Sequence, residues 1–142
     1  MALPVLVITL LIASATDLRS REIPNWLMAG AALAGIGLAA AEGRAGSAVL
    51  FGLLAAAPFL LANLIRPEGM GMGDVKLVAV VGLYLGQQVW IALVIGLALA
   101  GLTGVLIALG RRLPPSRTAL PLAPFLAAGA GIMLAATGGA LQ

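Results

Sequence analysis

The chain has 142 residues, of which 62% are hydrophobic and 9% are charged, and its mean hydropathy is +1.14. These values exclude an ordinary water-soluble domain, because a folded protein of this length still exposes roughly a third of the surface of its unfolded chain. The chain has no cysteine and no histidine, which excludes a disulfide framework, a thiolate metal site and the commonest general base. The bases behind the net charge of +3 are scattered between apolar segments, so nucleic-acid binding is not expected.

Apolar segments follow one another along the whole chain, and a helix needs about 20 such residues to cross the hydrocarbon core, or somewhat fewer where the bilayer thins. Six spans are predicted: Ala2 to Thr16, Trp26 to Ala41, Ser47 to Ile65, Val75 to Leu85, Val89 to Leu109, and Ala119 to Thr137. The fourth and fifth, if joined, would form one helix about 50 Å long, which is too long for the bilayer. We therefore predict a turn at Gly86-Gln87-Gln88 and a single domain over residues 1–142, an all-α bundle of six transmembrane helices.

The distribution of basic residues predicts the orientation of this bundle. With the N-terminus outside, one base, Arg44, lies in an outer connection. The other seven lie in the three inner connections: Arg19, Arg21, Arg66, Lys76, Arg111, Arg112 and Arg117. This bias is typical of cytoplasmic loops, and it would fail without the turn at Gln87-Gln88. Both termini are therefore predicted to be extracytoplasmic.

Two of the acids fall at one predicted boundary. Asp17 follows the first span and Asp74 precedes the fourth, so both are expected at the cytoplasmic face. Two carboxylates in one polar pocket cannot both ionise cheaply, so one holds a proton while the other activates a water. That is the acid–base pair that aspartic proteolysis needs. The alternative is that each acid only marks a boundary, with Asp17 paired to Arg21 and Asp74 capping the fourth helix.

The residues around Asp74 are expected to shape the same place. Gly71 and Gly73 have no Cβ, so the backbone can turn tightly and a substrate strand can approach closely. Lys76 lies two positions beyond Asp74, about 200° around a helix, so the two should not pair directly. Lys76 is expected to reach the membrane interface or to steady another polar group. No metal and no cofactor is predicted.

Three stretches resemble type IV prepilin peptidases in order and spacing. They are DLRSREIPN from Asp17 to Asn25, GMGDVKL from Gly71 to Leu77, and LPLAPFLAAG from Leu120 to Gly129. The resemblance covers nearly the whole chain, and it agrees with the topology predicted from charge. Within the family, the chain is most similar to the short peptidases of Flp/Tad pilus systems.

The resemblance implies an intramembrane aspartic endopeptidase of the GxGD type in the cytoplasmic (inner) membrane. Its substrates would be prepilin-like proteins, whose short basic leader is removed after a glycine at the cytoplasmic face. Asp17 and Asp74 match the catalytic aspartates of the family. Glu22 and Glu68 could attract the basic leader, although exposed loop acids usually contribute little. Large members carry an additional N-terminal segment with paired cysteines, and they also methylate the new N-terminus. This chain has no room for that segment and no cysteine, so methyltransferase activity and S-adenosylmethionine are not expected.

Two other readings use the same residues differently. In a small transporter, Asp17 and Asp74 would carry ions or protons through a polar cavity, as intramembrane acids often do. Against a transporter, the chain lacks the repeated half that is common in such folds, and its acids are predicted at one face with none at the midplane. In an assembly subunit, neither acid would have any chemistry. Proteolysis and ion flux distinguish the three.

Overall fold

The computed structural model describes residues 2–20, 22–66, 71–111 and 121–138, and within those ranges the regular structure is entirely helical. The helices are α1 (Ala2–Ser20), α2 (Asn25–Ala41), α3 (Ala45–Ile65), α4 (Met72–Leu85), α5 (Val89–Arg111) and α6 (Ala123–Ala136). Each predicted span corresponds to one of them, with shifted ends. α1 continues through Asp17, and α4 begins early enough to include Asp74. α6 begins at Ala123 instead of Ala119, which lies outside the described residues.

The predicted turn between the fourth and fifth segments is a short 3-10 turn over Gly86–Gln88. Gly86 has φ 56 and ψ −134, and only glycine adopts such a conformation without strain. The segments before and after the turn are both apolar, so hydropathy alone does not separate α4 from α5. The glycine therefore ends α4, and α5 begins as a separate helix.

Glycines bring two pairs of helices into close contact. α3 packs on α4 where Gly52 faces Gly82, and a methyl group on Gly82 would lie 2.7 Å from the Cα of Gly52. α5 packs on α6 where Gly96 faces Gly129, and a methyl group on Gly129 would lie 2.3 Å from the carbonyl oxygen of Ala92. Small residues allow such backbone approach between membrane helices. These two crossings hold the α3–α4 and α5–α6 pairs together.

Tyr84 connects α4 to α2 in the core. Its side chain is buried, its hydroxyl donates a hydrogen bond of 2.8 Å to the carbonyl oxygen of Ala31, and its ring covers Gly35. At the other end of the same two helices, Lys76 contacts Asn25. The earlier residue of α2 contacts the earlier residue of α4, and the later contacts the later, so α2 and α4 are parallel.

The remaining contacts give the directions of the other helices. In the α5–α6 pair, Gly96 meets Phe125 and Leu126 while Ala92 meets Gly129, so these helices are antiparallel. α6 begins beside Asp17 in the last turn of α1. α5 therefore runs towards that end of the bundle, whereas α4 runs away from it, and the chain reverses at Gly86–Gln88. We call this end, defined by Asp17, Asn25, Asp74 and Ala123, the aspartate end.

The outer surface of the bundle is apolar. Leu33 is 72% exposed and Val94 is 69% exposed, and many other large apolar side chains also face outward. By length and apolarity, Ala2–Ser20, Ala45–Ile65 and Met72–Gly110 are able to cross a membrane, and the last of these includes the break at Gly86. The helices Asn25–Ala41 and Ala123–Ala136 are apolar but shorter. Such a surface suits lipid better than water.

Candidate active site

Asp17 is a buried carboxylate in the last turn of α1. Only 6% of the residue is exposed, and it lies on the helix face that also buries Ala13 and Leu10. Its Oδ2 accepts a hydrogen bond of 3.0 Å from the backbone N–H of Ala123, the first residue of α6. A buried carboxylate requires such a partner, because an unpaired one is very costly away from water. An otherwise apolar face of α1 thus carries an acid to the start of α6.

Asp74 is half-buried in the first turn of α4. The N-cap residue of α4 is Gly71, so Asp74 is the third residue of the helix, and the alternative that Asp74 itself is the N-cap is wrong. A carboxylate at this position is still stabilised by the partial positive charge of the helix N-terminus. Asp17 lies close enough for its charge to act on Asp74. The fold therefore brings together two acids that are far apart in the sequence.

The two glycines before Asp74 have different surroundings. Gly71 has φ −74 and ψ 144, an extended conformation that any residue adopts, so the expected need for glycine in a tight turn is wrong at this position. A methyl group there would lie 3.9 Å from Oδ2 of Asp74. A methyl group on Gly73 would lie 3.3 Å from the Cβ of Ile23, in the connection between α1 and α2. Gly73 thus allows α4 to pack on that connection, while a methyl group at Gly71 would make only ordinary contact with the carboxylate.

Lys76 points away from Asp74, in agreement with the helical spacing. Its Nζ donates a hydrogen bond of 2.7 Å to Oδ1 of Asn25, the first residue of α2. Both side chains are exposed. Together with the contact between Gly73 and Ile23, this bond holds the start of α4 against the start of α2. This bond is compatible with the steadying role considered for Lys76, with Asn25 as the partner.

Of the two other acids considered for the site, the structure describes one. Glu22 is exposed in the connection between α1 and α2. Glu68 lies outside the described residues, as does Arg21, the partner considered for Asp17. The structure thus brings Asp17, Asp74, Gly71 and Gly73 to the aspartate end and leaves Glu22 at its edge.

Sequence reasoning missed two groups near Asp17. The backbone N–H of Ala123 has no side-chain signature, and only the prolines on either side of it mark an unusual helix start. Ser14, three residues before Asp17, has a buried Oγ that lacks a hydrogen-bond partner within the described ranges. The other hydroxyls of α1 each donate to a carbonyl one turn earlier, as Thr9 does to Val5. A single serine one turn before an acid in an apolar helix was the available signal.

The arrangement supplies acid–base chemistry and little else. Two carboxylates at one end of the bundle are groups that can accept and donate protons. Among the described residues, no group of three or more His, Cys, Asp or Glu residues is placed to hold a metal ion. The site consists of a buried acid on one helix, a half-buried acid on another, and an exposed glycine three residues before the second.

Fold and site together define a class: a helical protein with a lipid-compatible surface and a pair of carboxylates at one end of its bundle. Residues 4–109 match the type IV leader peptidase family. This match covers well over half of the chain, so the chain belongs to the type IV leader peptidase family and is a peptidase by that membership. A comparison with curated proteins and another with solved structures each found no match. The matched residues include both acids but end before α6.

Proposed function

We propose that the protein is an aspartic endopeptidase that removes the basic leader of prepilin-like substrates, with Asp17 and Asp74 as its catalytic residues. The observation that carries this proposal is that the fold brings Asp17 and Asp74 to the same end of the bundle, near enough for the charge of one to act on the other, in a chain of the leader peptidase family. The match alone names a peptidase, and the geometry supports these two acids as its chemistry.

In the proposed reaction, a water bound between the carboxylates attacks the scissile carbonyl carbon. The ionised carboxylate takes a proton from the water as the new C–O bond forms, and the protonated one hydrogen-bonds the carbonyl oxygen. The C–N bond then breaks, and the leaving amine takes up a proton from the pair. Gly71 is exposed, and among the described residues a methyl group there would make no contact closer than 3.9 Å, which supports an approach of the substrate strand on the Asp74 side.

We further propose that all six helices span the cytoplasmic membrane, with both termini outside and the aspartate end at the cytoplasmic face. Tryptophan is enriched where a helix meets the membrane interface. Trp26 is 71% exposed at the start of α2, and Trp90 is 42% exposed at the start of α5, the opposite end of the bundle. These two side chains support a bilayer that covers the length between them. The bias of Lys and Arg towards the predicted inner connections, which include the one between α1 and α2, supports a cytoplasmic location of the aspartate end.

Cleavage by the purified protein in vesicles tests the chemistry. The substrate is a synthetic prepilin-like peptide with a basic leader, a glycine and an apolar segment, and the products are identified by mass. We expect Asp17→Asn and Asp74→Asn each to lower kcat by about 1,000-fold, within the range of acid–base contributions. Glu42→Gln is the matched control, since this acid is paired with Arg44 in the connection between α2 and α3, away from the aspartate end.

Retained cleavage by either aspartate variant would exclude the proposed pair. The same vesicles, loaded with a pH-sensitive dye, report proton flux. Flux that depends on both acids, in the absence of cleavage, would instead support a transporter.

The lack of native cysteine makes the orientation directly measurable. Gln87→Cys and Ser20→Cys place single thiols on exposed positions at opposite ends of the bundle. In intact cells, we expect a membrane-impermeant maleimide to label the thiol at position 87 at once and the thiol at position 20 only after permeabilisation. The reverse pattern would invert the proposed orientation without affecting the aspartate pair.

A further inference from the structure

In the first turn of α6, one backbone N–H has no acceptor within the helix. Pro124 has none, and the amides of Phe125 and Leu126 both donate to the carbonyl oxygen of Leu122, at 3.1 and 3.0 Å. The amide of Ala123 is thus the donor left over at this helix start. Amides in the first turn of a helix have no partner within the helix, and a buried one needs a partner elsewhere.

Asp17 takes that amide. The hydrogen bond is buried, and Ala123 itself is fully buried beneath it. Within the described ranges, this is the hydrogen bond that the Asp17 carboxylate accepts. Since Oδ2 is directed at α6, Oδ1 is the oxygen left for a water or for Asp74.

The position of α6 is itself determined by close packing. Gly129 lies against Ala92 and Gly96 of α5 with no room for a methyl group, and Leu126 and Met133 are buried in the core. A contact this tight cannot slide without a clash. The α5–α6 crossing therefore sets the location of the Ala123 amide, and the amide sets the orientation of Asp17.

We propose that the start of α6, Leu122–Ala123, is a positioning segment for Asp17, with the Ala123 amide as the group that orients its carboxylate. This segment lies beyond residues 4–109, the part of the chain that matches the family. The inference rests on the proposed function for its catalytic meaning. The contact also stabilises a negative charge, because a helix N-terminus carries a partial positive charge.

Replacing the amide by an ester removes this one donor without changing a side chain. Ala123 is replaced by lactic acid through nonsense suppression in cell-free translation, and the protein is reconstituted in vesicles with the same prepilin-like peptide. We expect kcat to fall about 10-fold with KM unchanged within twofold, since one charge-assisted hydrogen bond is lost and no substrate contact is.

The matched control is phenyllactic acid in place of Phe125. That ester removes a hydrogen bond to Leu122, the same carbonyl that the first ester weakens as an acceptor. We expect the control to keep kcat and KM within twofold. Equal losses in both esters would overturn the proposal, because they would report helix weakening alone. A raised KM with unchanged kcat would also overturn it, since α6 would then bind substrate.

A second measurement does not depend on catalysis. In protein labelled with ¹⁵N-alanine and ¹⁵N-leucine, hydrogen exchange of the Ala123 amide is followed by NMR in the wild type and in Asp17→Ala. We expect exchange at Ala123 to speed up at least 10-fold in the variant, while exchange at Leu126 stays unchanged. Unchanged exchange at Ala123 would overturn the proposed contact. If the wild type shows this protection but does not cleave the peptide, the proposed function fails and the α6–Asp17 contact stands.

Discussion

Asp17 and Asp74 reach the same end of the bundle by different means. Asp17 is buried in the last turn of its helix, and its hydrogen bond comes from α6, at the far end of the sequence. Asp74 is half-buried in the first turn of its helix, beside its own glycines. One carboxylate is positioned by tertiary structure and the other mainly by the residues next to it. The position of Asp17 should therefore be sensitive to substitutions far away in the sequence, whereas the surroundings of Asp74 should be sensitive to substitutions next to it.

This difference suggests that Asp17 contributes more to the stability of the fold and that Asp74 lies on the side from which substrate approaches. Removal of Asp17 leaves a buried amide without a partner, so the fold itself depends on this acid. Asp74 is more exposed and so is its neighbour Gly71, so we expect the fold to depend less on this acid and the proposed substrate to approach from its side. The following substitutions test that division.

The largest effect is expected at the α5–α6 crossing, which places α6 against Asp17. In Gly129→Ala, the added methyl group would lie 2.3 Å from the carbonyl oxygen of Ala92. Because both atoms belong to packed helices, we expect the free energy of unfolding to fall by about 3 kcal/mol. Denaturant unfolding in detergent, followed by circular dichroism, measures this change. Gly131→Ala on the same helix is the control, since nothing lies within 4 Å of its added methyl group; equal stability of the two variants would contradict the role of the crossing.

The direct comparison of the two acids comes next. We expect Asp17→Ala to lower the free energy of unfolding by about 2 kcal/mol, because the buried Ala123 amide loses its partner. Asp74→Ala should cost less than about 1 kcal/mol, the usual value of a charge near a helix N-terminus. Both variants should lose cleavage. Thermal unfolding of the two proteins side by side measures the difference, and similar stabilities would remove the proposed asymmetry.

Gly71 should affect activity without affecting the fold. In Gly71→Ala, the backbone conformation is compatible with alanine, and among the described residues the added methyl group would lie 3.9 Å from Oδ2 of Asp74 and from the backbone nitrogen of Gly73. We expect stability to be unchanged and kcat/KM to fall about 5-fold, equivalent to about 1 kcal/mol, because the methyl group narrows the approach of the substrate. Gly37→Ala, which adds a methyl group in open space on α2, is the control. Unaltered kcat/KM would exclude Gly71 from the path of the substrate.

The smallest effect is expected at the hydrogen bond between Lys76 and Asn25. Both side chains are exposed, so Lys76→Met and Asn25→Ala should each lower kcat about 3-fold, or about 0.7 kcal/mol. The double variant should be no worse than either single one, because both remove the same bond. Lys76→Arg keeps a donor and should retain most activity. Additive losses would show that the two residues act separately.

Much of the helical framework follows from the sequence. The apolar segments predict six helices, and Gly86-Gln87-Gln88 predicts the break where the chain reverses. Helix ends were less predictable: α1 runs past Asp17, and α4 begins before Asp74. At the end of α1, Asp17 is buried and bonds to α6, and apolar patterning carries no information about such a contact.

The sequence by itself determined the presence of two acids at neighbouring helix ends. The alternating directions of the spans and the count of basic residues predict Asp17 and Asp74 at one face. Both arguments depend only on the order of the segments along the chain. The tertiary structure alone decided what each acid contacts. The partner of Asp17 is a backbone amide at Ala123, and every residue except proline has such an amide, so no side chain marks it. Its position depends on how closely α6 packs on α5, which is a property of the folded bundle.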